Sequence, residues 1–232
     1  MKNRIKQIIQ QSPVLEKYAR ILMGKGRLKN AFPKKTILGS GNSIEVHPSV
    51  TFNQCVFDII GNDNKIELEQ SGVYNNVVFY IRGDHHNIRI GKNVRFNQGS
   101  SIWMEDHHGL ADIADGSTFE EVHLAITEPH SRIRIGADCM FAYDIEVRTG
   151  DSHSIVDSLT GERINPAGNV EIGNHVWIAS HVSILKGVHI SKDSIVATRS
   201  VVTRSFEDGN ILIGGTPAKK LKENINWNRK RI

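Results

Sequence analysis

Cysteine is nearly absent from this chain: Cys55 and Cys139 are the only two in 232 residues. They lie too far apart to match a redox pair or a cysteine-based metal site, and a disulfide framework is excluded. A reduced, cytoplasmic protein is expected. Long hydrophobic runs are missing too: no stretch of 18 apolar residues is available to span a bilayer, and no signal-peptide pattern opens the sequence. Acidic residues are missing from one end. Residues 1–35 hold ten Lys/Arg against the single acid Glu16, leaving 19 of the 29 basic residues against 24 of the 25 acids in the remainder. A basic end of this kind suits an acidic membrane surface, an anionic polymer or an acidic neighbouring subunit. Nucleic acid is not expected as a partner, because no binding motif or aromatic-basic interleaving accompanies the charge.

What is present is enough for one sizeable core: 39% of residues are hydrophobic and 23% charged, which is not the composition of a disordered chain. In the first segment Ile5, Ile8, Ile9, Val14, Leu15, Tyr18, Ile21 and Leu22 follow helical spacing broken at Pro13. This predicts two short amphipathic helices ending near Gly24, within a basic extension over 1–35. Their apolar face either packs on the body or another subunit, or makes peripheral contact with the inner face of the membrane.

After about residue 36 a different rhythm takes over. Ile172, Ile178, Ile184, Ile190, Val196 and Val202 recur every six residues, often followed by a small residue (Gly173, Ala179, Ser191, Ala197). Shorter runs repeat the interval: Ile44, Val50, Val56; Ile90, Phe96, Ile102; and Ile135, Phe141, Val147, His153. A period of six fits neither a helix nor ordinary strand alternation and marks a structural repeat. One aliphatic every six residues gives each short strand an inward plug, small residues let the backbone turn a corner, and three such sides close a triangular coil. The rhythm breaks twice. Between His153 and Ile172 the polar run DSLTGERINPAGN predicts a loop excursion at about 154–169. The acidic and His-rich stretch 103–131 reads as a second excursion or as irregular coils lining a cleft.

These features resemble the hexapeptide-repeat acyltransferases, strongly over 130–220 and more weakly over 36–129. The resemblance implies an all-β, left-handed parallel β-helix over 36–220, with a short α-helical N-terminal extension before it and a C-terminal tail over 221–232. Within that family the sugar and polysaccharide O-acetyltransferases carry DSH or TGH, a loop and then VWIG. This chain has GDSHSI and then HVWIAS, with Trp177 falling 24 residues after His153. By resemblance, His153 is the catalytic base and Trp177 lines the site beside it. Neutral imidazole suits proton removal from a hydroxyl near pH 7.

The resemblance also implies acetyl-CoA as acyl donor and a homotrimer with cofactor grooves between neighbouring subunits. Ala179, Ser180 and Ala197 are small enough for a pantetheine arm to lie against the backbone, and a backbone N–H near Ala179 or Ser180 is the expected oxyanion donor. The family's IGAGSVVTK reads VATRSVVTR here, so Thr198 and Arg199 add bulk at the expected groove, although Arg199 could hold a phosphate. GGTPAKK, Gly214 to Lys220, resembles the terminal GxPAK signature. Arg204, Lys219 and Lys220 are the cations expected near the cofactor phosphates. Asp144 and Asp151 are candidates for the acceptor side, with Asp151 either orienting the imidazole or capping its turn.

The function implied is acetyl-CoA-dependent O-acetylation of a sugar hydroxyl in a capsular polysaccharide, O-antigen or related glycan. Transfer is expected to be direct, because neither cysteine lies in the His/Trp block. The alternative within enzymes is an N-acetyltransferase of an amino sugar or sugar nucleotide. More distant alternatives are a gamma-type zinc carbonic anhydrase on the same fold and a non-enzymatic β-helix scaffold. No metal is expected, since the adjacent pairs His85–His86 and His107–His108 would point to opposite faces of a strand.

Overall fold

The computed structural model describes residues 32–232, so the two helices expected before Gly24 lie outside the described residues. No described residue is helical, and none forms a helix long and apolar enough to cross a membrane. The first strand begins at Lys34, just inside the segment read as extension.

The chain winds through three sheets in turn. Sheet A has eight strands, from Lys34–Leu38 to Val201–Val202; sheet B has seven, from Ser43–Val46 to His189–Ile190; sheet C has nine, ending at Ala218–Lys222. Every pairing within the coil is parallel. Each sheet therefore runs along one side of a triangular prism, and inward side chains stack from coil to coil. Ile172, Ile178, Ile184, Ile190, Val196 and Val202 are all buried, as are the alternate positions Val176, Val182, Val188, Ser194 and Ser200. The corners need left-handed backbone, which side chains other than glycine adopt reluctantly. They fall on the same period at His175, His181, Gly187, Asp193 and Arg199, with φ between 55° and 75°.

The prism has two widths. Toward its C-terminal end Ile184 pairs with Val202, an offset of 18 residues, or three hexapeptides. Before residue 150 the coils are larger: Phe57 pairs with Phe79, Phe79 with Ile102 and Ile102 with Leu124, offsets of 22 or 23. Much of the extra chain lengthens sheet A, whose strands Val77–Asp84 and Ser100–His107 are eight residues long against two for Ser183–Ile184. A wider section needs bulkier filling. Phe96 stacks on Phe119 and Phe57 on Phe79, each at 4.5 Å between ring centroids, and Phe119 packs tilted against Phe141 at 4.7 Å.

The six-residue register thus fails locally in the wide coils. Ile90, Phe96 and Ile102 are inward, but Val56 is half-buried on the outer face while Cys55, Phe57 and Ile59 turn in. The left-handed corner at Gln54 resets the alternation. The stretch 103–131 is no excursion: it forms wide coils with strands Leu110–Ile113, Thr118–Phe119 and Val122–Ile126. At the C-terminal end, Ala218–Lys222 folds back antiparallel on Leu212–Gly215 and covers the open edge of sheet C. The remaining tail runs back along the B–C edge. Trp227 Nε1 donates to His175 O at 2.8 Å, and Arg229 binds Asp138, Thr118 and Cys139 O, each at 2.9 Å.

Candidate active site

The expected loop after His153 is an ordered arm. Its two limbs pair at Val156 and Arg163, and the Asp157 carboxylate accepts from the N–H groups of Leu159 and Thr160 at its tip. Three latches hold it to the coil. Arg163 forks onto both oxygens of Glu128 at 2.9 and 2.5 Å, which holds the Glu128 carboxyl below its usual range. Asp151 accepts from Lys186 Nζ at 2.5 Å and from Asn165 at 2.8 Å, and Lys186 is the larger cause of its lowered pKa. Asn165, 6% exposed, is the hub: its Oδ1 accepts from Ile155 N–H and Arg163 Nε, and its Nδ2 donates to Asp151 and to the carbonyl of His153. The Asp151 carboxylate therefore anchors the arm, and Asn165 fixes the backbone of His153.

The His153 imidazole is exposed and lines a groove of about 400 Å³ on the A–B edge, with Trp103, Glu105, His123, Ala125, Thr127, Arg148 and Ser152. His123 also lines a second groove of about 320 Å³, which reaches Asp144 at the other side of sheet A. The outer face of sheet A is thus one open surface between the two predicted residues. Asp144 sits on a left-handed corner and contacts His181 Nδ1 at 2.8 Å. Partial burial holds the His123 imidazole below its ordinary value, with the Arg148 charge acting in the same direction against the opposing effect of Glu146. Ser101 Oγ and His123 Nδ1 lie 2.5 Å apart.

The other histidines of the wide coils form a series. His85, His108 and His130 occupy left-handed corners on successive coils and stack at 4.8 Å. His153 comes one coil later, but Ser152 takes the corner there and frees its imidazole from the stack. His86 points inward as expected of the adjacent pair; it is 1% exposed and burial pushes its pKa down to about 4. Among the described residues no three His, Cys, Asp or Glu side chains converge as a metal-binding group.

Trp177 is on sheet C, between Met140 and Ile195 on the neighbouring coils and 6.3 Å from the Trp227 ring. In a three-sided prism sheet C lies opposite the A–B edge, so one chain does not bring Trp177 to His153. Of the predicted small residues, Ala179 and Ala197 follow the paired residues Ile178 and Val196 on adjacent coils, and the structure extends them with Ala142 after Phe141 and Gly214 after Ile213 into one column beside the C–A edge, with Ser180 next to Ala179. Ala179 N–H donates to Val196 O at 2.9 Å, which removes it as an oxyanion donor and leaves Ser180. Thr198 Oγ1 donates to Ser180 O at 2.8 Å, so its side chain is drawn against the preceding coil, and Arg199 forms the corner beside it. Arg204 lies over the Phe206 ring. Lys219 and Lys220 are both exposed, and Lys220 is engaged by Glu223 and Asp208, which raise its pKa in that order.

The triangular parallel coil is that of the hexapeptide-repeat acetyltransferases, and its likeness to a solved relative places this chain in that family, in its sugar and polysaccharide O-acetyltransferase subgroup. Its coil is their left-handed parallel β-helix. The crystal structure of the polysialic acid O-acetyltransferase OatWY is 32% identical, with a TM-score of 0.82 over 85% of this chain and 92% of that one. That of the polysialic acid-specific acetyltransferase NeuO is 28% identical, with a TM-score of 0.54 over 85% and 83% of the two chains. In sequence, the polysialic acid O-acetyltransferase of Neisseria meningitidis is 39% identical over 99 residues, 43% of this chain, a match that spans 46% of that relative's length. No family model matches the chain.

Proposed function

We propose that this chain is an acetyl-CoA-dependent O-acetyltransferase acting on a sugar hydroxyl of an anionic capsular polysaccharide of the polysialic acid type. The observation that carries the reading is His153: a side chain free of the histidine stack, on a backbone fixed by Asn165, opening on the sheet A groove in a fold shared with polysialic acid O-acetyltransferases. The imidazole takes the proton of the acceptor hydroxyl as its oxygen attacks the thioester carbonyl. The tetrahedral oxyanion is held by Ser180 N–H and collapses with loss of the coenzyme A thiolate, which recovers the proton from the imidazolium. The pantetheine arm follows the column of small residues, with Arg199, Arg204 and Lys219 as cations for the phosphates. Transfer is direct. Both cysteines are buried, and burial pushes the Cys139 thiol up to about 11, so neither is a competent nucleophile.

The working unit in this proposal is a trimer in which one copy supplies His153 and its neighbour supplies Trp177 and the cofactor column. The opposite placement of these two residues on the prism supports it. So does the arm, whose Ile155, Val156, Leu159 and Ile164 are exposed, Leu159 at 94%. A cytoplasmic site, where acetyl-CoA and reduced cysteines are both found, completes the reading. The test is transfer of labelled acetyl from acetyl-CoA to polysialic acid by the purified full chain. An ester releases its label in mild alkali. An alkali-stable product would instead identify an amide and an amino acceptor, and no transfer would remove the reading.

A further inference from the structure

The tail beyond the last strand folds back as a strap tethered on both sides of Trp227. Before it, Ile225 N–H donates to Asn210 O at 3.0 Å and Asn210 Nδ2 donates to Ile225 O at 3.3 Å. After it, Arg229 makes its three bonds to Asp138, Thr118 and Cys139 O on the earlier coils, with its guanidinium 5.5 Å from the Trp227 ring centroid. Trp227 is only 8% exposed, yet it belongs to no coil and does not join the cluster that fills the prism.

Its neighbours are the corner before Trp177 and Trp177 itself. Trp227 Nε1 donates to His175 O at 2.8 Å, its ring stacks on the His175 imidazole at 4.2 Å, and its centroid lies 6.3 Å from that of Trp177 at an interplanar angle of 48°. His175 is the corner from which the strand Trp177–Ile178 starts, and its φ of 55° is one that a residue with a Cβ adopts reluctantly. The strap therefore grips both the backbone that launches Trp177 and the indole. Trp177 is half-buried on the outer face of sheet C, where Met140 and Ile195 flank it on neighbouring coils, about 4.8 Å away on each side. Trp227 fills the B–C side. The side left to the indole faces Ala179, two residues on along the same face and part of the column of small residues.

We propose that Trp227 is a positioning residue for acetyl transfer: it holds the Trp177 indole toward the cofactor column, and the C-terminal tail is thereby part of the site. The inference rests on the reading of Trp177 as a residue lining that site and adds the segment that sets its place. Transfer needs its reacting groups held in near-attack geometry, so a wall displaced by about 1 Å is felt in kcat.

The chain has three tryptophans, Trp103, Trp177 and Trp227, so the full chain grown with nitrogen-15-labelled tryptophan shows three indole N–H resonances. Trp227→Leu should remove one, shift that of Trp177 and leave that of Trp103 in place. At saturating acetyl-CoA and polysialic acid the same variant should lose about tenfold or more in kcat, and Trp227→Phe, which keeps a ring against His175, should recover most of that loss. In a Trp177→Ala background Trp227→Leu should cost no more than about twofold further, because two residues acting as one unit are not additive. Arg229→Gln frees the strap without removing its indole; it should move the same Trp177 resonance and lower kcat less, a second route to the result if Trp227→Leu folds poorly. An unmoved Trp177 resonance in both variants would overturn the proposal, as would equal losses of kcat from Trp227→Leu in the two backgrounds. Failure of the transfer reading alone would look different: the Trp177 resonance would move, with no acetyl transferred by the unaltered protein.

Discussion

The wide coils before residue 150 and the narrow coils after 170 follow the same three-sided plan with different perimeters, 22 or 23 residues against 18. The perimeter decides what fills each section. Phe57, Phe79, Phe96 and Phe119 plug the wide coils, while Ile178, Ile184, Ile190, Val196 and Val202 plug the narrow ones. It also decides what lies outside. Sheet A narrows from strands of eight residues to strands of two, and the groove, the arm and His153 all sit at that step. In the proposed reaction the broad face offers the acceptor its surface, and the narrow coils carry the column of small residues. A uniform prism would have neither a ledge nor a reason to place an arm there.

Core exchange tests this contrast most severely. Phe119→Ala should cost about 3–5 kcal/mol in a urea melt, because the wide section cannot close around the cavity. Stability against pH comes next. Burial lowers the His86 pKa to about 4 in the folded chain, while an unfolded histidine titrates near 6.5. Between those values the unfolded state binds more protons, so stability is complete above about pH 6.5 and falls as the pH drops toward 4, by up to about 3 kcal/mol. Urea melts from pH 7.5 to 4.5 should show that loss, with His86→Gln flattening it. Hydrogen exchange should locate the opening in the wide coils; uniform loss along the prism would contradict their separate character.

The converse core change is smaller. Ile184→Phe should overpack a narrow coil at about 1–3 kcal/mol, and a neutral result would mean that perimeter does not dictate filling. Least disruptive to the fold is Arg163→Ala, which unlatches the arm from Glu128. Limited proteolysis should then cut between 155 and 164 several times faster, with the melting midpoint little changed.

The narrow coils were legible because a period of six shows directly in Ile172 to Val202. The wide coils were not: four or five extra residues per turn shift the phase, so Val56 fell on the outside while Cys55 and Phe57 turned inward. A signal was nevertheless present. His85, His108, His130 and His153 recur at 23, 22 and 23 residues, the length of the wide coil, and Tyr80, Trp103, Ala125 and Arg148 share that spacing. His153 is proposed as the base from its register and by resemblance. Asn165, Glu128, Arg163 and Lys186, which hold its arm, were invisible because their partners are distant in sequence. Asp151 was placed beside the histidine by proximity in the chain, yet its carboxylate turns to Lys186, a cation 35 residues away.

The central claim is that chemistry occurs at the step between the two coil sizes, with His153 as the base. The most direct measurement compares acetyl transfer to polysialic acid by the unaltered chain and by His153→Ala, at saturating acetyl-CoA and matched folding. The side chain is exposed and has no structural partner among the described residues, so stability should hold while kcat falls by about 10²–10⁴-fold. A variant that transfers acetyl within twofold of the unaltered rate would contradict the account and move the base elsewhere.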